Sequence, residues 1–116
     1  MNNYKKLKIW ENSFDLAVEI YKLTQLFPRE ELYNLTSQIK RSAVSIPSNI
    51  AEGAGRKSNK EFLNFLSIAN GSCSELDTQR TIANKLDFMP YEDFIEFQNK
   101  IYHIQRMNYN LREKMI

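Results

Sequence analysis

Apolar residues recur every three or four positions along most of the chain, which is the spacing of one face of an α-helix. The pattern is clearest in residues 35–57. The apolar column there consists of Leu35, Ile39, Ala43, Ile46 and Ile50. A polar column follows the same spacing one position away, and consists of Gln38, Ser42, Ser45, Asn49, Glu52 and Arg56. A polar column beside a core face is expected to be half-buried, so its members need hydrogen-bond partners.

One proline and two glycines interrupt this segment. Pro47 lacks a backbone donor and pushes against the carbonyl of Ala43, which predicts a kink in the helix. Asn49 is close enough in sequence to satisfy a carbonyl that the proline frees. Gly53 and Gly55 predict the end of the helix.

A first helix is predicted over residues 7–27, because two apolar columns run along it. One column is Trp10, Phe14, Ala17 and Tyr21, and the adjoining one is Leu16, Ile20, Leu23 and Phe27. Pro28 predicts its end, since the residue before a proline is pushed out of the helical region.

A third helix is predicted to begin at Ser58, which forms a capping box with Glu61, and to continue to about residue 86. Its seam is Phe62, Phe65, Ala69, Ser72, Leu76, Gln79, Ala83 and Leu86. Gly71, in the middle of this helix, costs ~1 kcal/mol relative to alanine, and the close approach of another helix is expected to offset that cost.

A fourth helix is predicted to begin at Pro90, because proline suits the first helical position. Its seam is Phe94, Phe97, Ile101, Ile104, Asn108, Leu111 and Met115. Four amphipathic helices with short joins predict an all-α fold, an antiparallel up-down four-helix bundle. A chain of 116 residues is long enough to bury one hydrophobic core, so we expect a single domain over residues 1–116.

Composition and net charge exclude few classes of function. The net charge of +2 permits a nucleic-acid partner without demanding one. Cys73 is the only cysteine, so no internal disulfide is expected and a reducing compartment is favoured. The N-terminal segment has no apolar run typical of a signal peptide, and no segment reaches transmembrane length. We therefore expect a cytoplasmic protein that does not enter a membrane.

Residue patterns typical of enzymes are missing from the sequence. His103 has no Cys, Asp or Glu at ligand spacing on its helix face, so we expect no metal site. The glycine-rich segment at residues 53–58 lacks the preceding strand and the ending of a phosphate-binding loop. No paired carboxylates combine with a histidine. We expect no catalytic residues and no cofactor.

Two groups of residues are candidates for function. The first is basic and consists of Lys40, Arg41, Arg56, Lys57 and Lys60, with Arg80 and Lys85 farther along the third helix. It is either a solvated face or a surface for the phosphate backbone of RNA or DNA. Tyrosines at positions 4, 33, 91, 102 and 109 could stack on bases, but most fall on or beside helical seams, where packing is expected.

The second group is the polar column of residues 38–52. In a structural interpretation, Gln38, Ser42, Ser45, Asn49 and Glu52 form a hydrogen-bonded seam at a helix–helix or subunit contact, where they specify register. Glu52 is also expected to pair with Arg56, four residues later. In a functional interpretation, Asn49 and Glu52 belong to a small-molecule pocket. The structural interpretation is favoured, because no nucleophile or metal ligand accompanies them.

The segment from residue 45 to residue 53, SIPSNIAEG, is the most specific motif in the chain. With Phe27-Pro28, Ser37-Gln38-Ile39, Arg41, Arg56, Gly71-Ser72 and Glu75-Leu76, it resembles the four-helix-bundle proteins encoded in intervening sequences of bacterial 23S rRNA genes. That family is similar in turn to the accessory variability determinants of diversity-generating retroelements. Asn34 stands where a glycine is usual, and Lys40 where arginine is common.

The resemblance implies a ring-like homopentamer without enzymatic activity. In the retroelement relatives, a basic surface of the assembly binds nucleic acid and a reverse transcriptase. We therefore expect self-association, with RNA or DNA, or a reverse transcriptase or other protein, as further partners. The alternative is a purely structural or protein-interaction oligomer without nucleic-acid affinity.

Overall fold

A computed structural model describes residues 3–116, so the first two positions of the predicted domain lie outside the described range. It contains four α-helices, α1 Lys8–Thr24, α2 Leu35–Ala54, α3 Asn59–Lys85 and α4 Tyr91–Glu113. Short 3₁₀ turns at Tyr4–Lys6 and Arg29–Glu31 precede α1 and α2. No β-strand is present in this range.

Each helix packs against its neighbours in sequence, and α4 returns to contact α1. The most extensive contact is between α2 and α3, followed by that between α1 and α2. The molecule measures 43 × 24 × 20 Å, as expected for helices that lie side by side. The predicted all-α, up-down four-helix bundle is confirmed.

The apolar column of α2 lies at the centre of the core. Ile39, Ala43, Ile46 and Ile50 are fully buried, and Pro47 is buried within a helix that continues past it to Ala54. The seam of α4 is also confirmed, because Phe97, Ile101, Ile104 and Asn108 are all buried. These side chains come together from all four helices, so removing apolar surface from water favours the closed bundle.

Helix ends agree with the local sequence signals to within a few residues. The side chain of Ser58 accepts a hydrogen bond of 3.2 Å from the backbone N–H of Glu61, which confirms the predicted cap of α3. Pro90 is the N-cap of α4 and not its first residue. Helix α1 ends at Thr24, three positions before the predicted end. Residues 25–27 follow it as a hydrogen-bonded turn.

The two helical glycines have opposite surroundings, and one prediction about them is wrong. A Cβ atom on Gly53 would lie 2.6 Å from Phe65 Cβ and 3.0 Å from Phe62 Cδ1. Gly53 therefore allows α2 and α3 to approach closely, and the helix ends beyond it, at Gly55. A Cβ on Gly71 would meet nothing within 4 Å, so no helix of this chain approaches there.

Arg80 is buried and does not belong to the basic surface predicted from sequence. Its side chain is only 1% exposed, and Nη2 donates to Asp77 Oδ1 at 2.6 Å. Nη1 donates to the carbonyl of Phe94 at 2.8 Å, and the guanidinium lies 4.3 Å from the centre of the Phe94 ring. Arg80 thus joins α3 to the first turn of α4, because a buried charge needs this set of partners.

A second polar link holds α4 against α1. Lys100 Nζ donates a hydrogen bond to Glu19 of α1 and lies 3.2 Å from Glu96 of its own helix. Burial disfavours the charged form of Lys100, but the hydrogen bonds to Glu19 and Glu96 outweigh that effect and raise its pKa.

Of the first apolar column of α1, only Ala17 is buried in the core. Phe14 and Tyr21 are 46% and 44% exposed, and Trp10 is half-buried. The adjoining column, with Leu16 and Ile20, supplies the buried face. One helix can turn only part of its surface toward the core of a small bundle, so the second column remains accessible.

None of the helices in residues 3–116 combines the length and apolar character that crossing a membrane requires.

Candidate functional site

The polar column of α2 lies along the contact between α2 and α3. Ser42 is buried, Ser45 and Asn49 are half-buried, and the two ends of the column, Gln38 and Glu52, are exposed. This gradation follows from the position of the column at the edge of the core. The column therefore faces another helix of the same chain in its middle and solvent at its ends.

A chain of hydrogen bonds connects the column to α3. Asn49 Nδ2 donates to the carbonyl of Ser45 at 2.8 Å and to Ser45 Oγ at 2.9 Å. The Ser45 and Ser72 hydroxyls are 2.8 Å apart, and Ser72 Oγ donates to the carbonyl of Ile68 at 3.2 Å. The bond between the Ser45 and Ser72 hydroxyls is the one that joins α2 to α3. Asn49 thus bonds to Ser45 and not to the Ala43 carbonyl, which is the carbonyl that Pro47 frees.

The exposed end of the column contains the predicted ion pair. Arg56 Nη2 lies 2.7 Å from Glu52 Oε1, and the two residues are four positions apart. The Arg56 guanidinium also lies 4.8 Å from the centre of the Phe65 ring. The predicted pairing is confirmed, and it partly neutralises one of the cations of the basic group.

The predicted basic group is divided into two parts that lie far apart. Lys40 and Arg41 are in the first half of α2, whereas Arg56, Lys57 and Lys60 surround the connection between α2 and α3. At about 1.5 Å per helical residue, about 20 Å separate them along the axis. We call Arg56, Lys57 and Lys60 the basic turn. Lys85 is exposed at the opposite end of α3.

The basic turn is the more accessible of the two parts. Its three residues are exposed. Within residues 3–116, Lys57 and Lys60 have no carboxylate at ion-pair distance. Arg56 and Lys60 line a shallow depression with Asn64 and Ser67, and the adjoining depression reaches Arg112. This arrangement offers charge and hydrogen-bond donors to an anion, and nothing that would distinguish one base from another.

Lys40 belongs to a different surface, a groove between α1 and α2. Its ammonium lies 4.9 Å from the centre of the Tyr21 ring. We call this surface the α1–α2 groove, and its main lining residues are Trp10, Phe14, Val18, Tyr21, Lys22, Lys40 and Val44. Val18 and Val44 are exposed, like Phe14 and Tyr21. Contiguous apolar surface of this kind is typical of an interaction site.

The sequence did not predict this groove, because the apolar pattern gave no choice between the two columns of α1 as the face that packs on the core. The signal was present, since two full columns on one helix exceed what a single core face of a four-helix bundle uses. The tyrosines show the same difference. Tyr33, Tyr91, Tyr102 and Tyr109 are all exposed, although packing was expected for most of them.

The groups that could support catalysis or metal binding are dispersed. Burial, reinforced by the nearby Asp77 carboxylate, raises the pKa of the Cys73 thiol to about 12, so the reactive thiolate is disfavoured. His103 is exposed on α4. Across the range that the structure describes, no cluster of three His, Cys, Asp or Glu residues could hold a metal ion.

Comparison with known proteins gives one match that covers most of the chain. A family model described as 23S rRNA-intervening sequence protein matches residues 5–110. The matched range contains all of α1, α2 and α3 and most of α4, and therefore both the basic turn and the α1–α2 groove. A search of curated proteins found no match.

Proposed function

Since the chain belongs to the 23S rRNA-intervening sequence protein family, we propose that it is a non-enzymatic, homo-oligomeric scaffold that binds the backbone of RNA or DNA without sequence specificity. The subunit number that we propose is five, as the sequence resemblance implies. The proposal assigns the assembly to the cytoplasm, where ribosomal RNA is found.

The basic turn carries the nucleic-acid part of the proposal. Lys57 and Lys60 are exposed and unpaired within the described range, so binding a phosphate would not require breaking an ion pair. A few phosphate contacts on one chain give only weak binding. Assembly repeats the basic turn, and five copies of a chain with net charge +2 carry +10. The ring would thereby gain affinity by multivalency.

The dispersal of reactive groups supports the non-enzymatic part. The buried Cys73 thiol, the exposed His103 and the carboxylates of α2 and α3 do not converge on one cavity. A catalytic site needs a nucleophile or base within hydrogen-bond reach of an orienting group. The hydrogen bonds of the polar column instead join α2 to α3.

A second candidate function is a protein-interaction oligomer without nucleic-acid affinity. The α1–α2 groove favours it, because its exposed apolar side chains fit a protein surface better than a phosphate backbone. Its partner would be another copy, or a different protein such as a reverse transcriptase. The two functions differ in one measurable property, the salt-dependent affinity for RNA.

That affinity is measured by fluorescence anisotropy with a short structured RNA at low and at moderate salt. The scaffold proposal predicts binding that weakens steeply with salt. Lys57→Glu/Lys60→Glu should lower the affinity at low salt at least about tenfold, because two phosphate contacts per chain become repulsive.

The matched control is Arg29→Glu/Lys85→Glu, which changes the net charge equally at the opposite end of the bundle. It should bind RNA much more tightly than the basic-turn variant. Equal losses in the two variants would mean that net charge alone attracts the RNA. No binding by the parent protein at low salt would favour the second candidate function.

A further inference from the structure

We propose that α4 of one copy packs into the α1–α2 groove of the next copy, and that this contact links the subunits of the assembly. The inference rests on the self-association proposed above and assigns the two faces that meet. It is a head-to-tail contact, because the two faces belong to different parts of the chain.

The outer face of α4 has an apolar stripe that no helix of its own chain covers. The stripe consists of Tyr91, Ile95, Tyr102 and Tyr109, whose side chains are between 36% and 66% exposed. Their spacing of four, seven and seven residues places them along one side of the helix, as at the seam of a coiled coil. Large apolar residues in this arrangement are suited to insertion between two other helices.

The lengths of the two faces agree. The aromatic side chains of the α1–α2 groove extend from Trp10 to Tyr21, and the first part of the α4 stripe extends from Tyr91 to Tyr102. Each interval covers the same number of helical residues, which corresponds to about 16 Å along the axis. The α4 stripe can therefore fill the groove along its length.

Charge distinguishes this pairing from the symmetric alternative. The charged residues that line the groove and its extension toward Tyr33 are Lys22, Lys40 and Arg41. Glu92 accompanies the α4 stripe at its N-terminal end, whereas Glu96 is already paired with Lys100 of its own helix. Groove against groove would bring cations together, whereas α4 in the groove places the Glu92 carboxylate beside them. A contact between unlike faces generates a ring when its rotation closes.

Stacking of nucleic-acid bases in the groove is less well supported, because each of these aromatic rings already has one face in contact with another ring or with a cation. Trp10 and Phe14 stack on each other, with ring centres 5.1 Å apart and an interplanar angle of 25°. Lys40 lies over the Tyr21 ring. The exposed aliphatic side chains of Val18 and Val44 lie beside these rings and suit the side chains of a helix.

The test uses one substitution in each face, Val44→Glu in the groove and Tyr102→Glu in the α4 stripe. Both side chains are exposed within one chain, so each variant should keep the helical content and unfolding midpoint of the parent. Light scattering should show a fall from the mass of the assembly to that of one chain in both variants. Ile82→Glu, an equally exposed apolar position on α3, is the control and should leave the mass unchanged.

Mixing the two variants tests the head-to-tail geometry. The Val44→Glu variant retains its stripe and the Tyr102→Glu variant retains its groove, so the mixture should give a one-to-one dimer that does not grow further. Retention of the full assembly by either variant, or no dimer in the mixture, would overturn the inference while the proposed self-association stands. A monomeric parent protein would overturn both.

A charge exchange provides a second route if either variant loses its fold. Lys40→Glu and Glu92→Lys should each reduce assembly, and combining the two substitutions in one chain should restore it. Failure of the combined variant to assemble better than the separate ones would contradict the pairing of these two faces.

Discussion

At the scale of single residues, Gly53 and Gly71 show that the same residue type can have opposite roles in neighbouring helices. Gly53→Ala would place a Cβ 2.6 Å from Phe65 Cβ, a side-chain atom attached directly to the backbone. We expect a loss of about 1–3 kcal/mol in the free energy of unfolding, because the α2–α3 contact must open. Urea unfolding measures the change.

Gly71→Ala is the matched control in the other direction. Its Cβ would meet no atom within 4 Å, and alanine favours a helix interior over glycine. The expected result is a gain of up to about 1 kcal/mol. If Gly53→Ala were as stable as the parent, α2 and α3 would be able to move apart at no cost in stability, and our explanation of Gly53 would be wrong.

The buried thiol of Cys73 predicts a dependence of stability on alkaline pH. Its pKa rises from 9.0 to about 12 on folding, mainly through burial. Above pH 9.0 the unfolded chain loses this proton while the folded chain keeps it, so stability falls as pH rises toward about 12. The slope from this group is at most about 1.4 kcal/mol per pH unit.

Urea unfolding at about pH 8 and about pH 10.5 tests this expectation, with Cys73→Ala as the reference protein. The parent should lose more stability between the two pH values than the alanine variant, whose remaining groups are the same. Equal losses would show that Cys73 does not contribute to alkaline unfolding.

Arg80 illustrates what the sequence could and could not predict at this scale. Its place in a list of basic residues was wrong, and the informative signal was Asp77, three positions earlier and on the same helix face. Glu52 and Arg56 have a similar spacing and form the predicted pair, yet both are exposed. Spacing predicts the partner of a charge, whereas its burial depends on where the next helix lies.

At the scale of helices, Arg80 is one of the polar connections between α3 and α4, beside the buried hydrogen bond from Asn108 to the Leu66 carbonyl. Arg80→Met should lower the free energy of unfolding by about 3 kcal/mol, because the Phe94 carbonyl loses its donor and the Asp77 carboxylate its partner. Asp77→Asn, which keeps the guanidinium bonded to that carbonyl, should cost less. An Arg80→Met protein as stable as the parent would mean that the bonds of Arg80 do not stabilise the docking of α4.

The helices themselves could be predicted well, and their outer faces could not. Periodicity located all four, the Ser58 cap located the start of α3, and the seam of α4 proved to be buried. For α1 the pattern contained two columns of equal quality. The choice between them depends on the positions of α2 and α4, which periodicity within α1 does not contain. That ambiguity concealed the α1–α2 groove.

At the scale of the whole molecule, nearness in sequence was a poor guide to nearness in space. Lys40 and Arg56 lie in one short segment, but the length of α2 between them places them at separate surfaces with different neighbours. The basic turn and the α1–α2 groove are therefore separate surfaces, to which we assign nucleic-acid binding and assembly respectively in the proposed function. Substituting Lys57 and Lys60 should consequently weaken RNA binding without changing the subunit number.

The central claim is that the chain assembles through its own surfaces and then binds RNA weakly. The most direct measurement is the light-scattering mass of the pure protein, alone and with a short structured RNA, at low and at moderate salt. We predict a mass near five chains that increases with RNA at low salt and reverts at moderate salt. A mass of one chain under all these conditions would contradict the account.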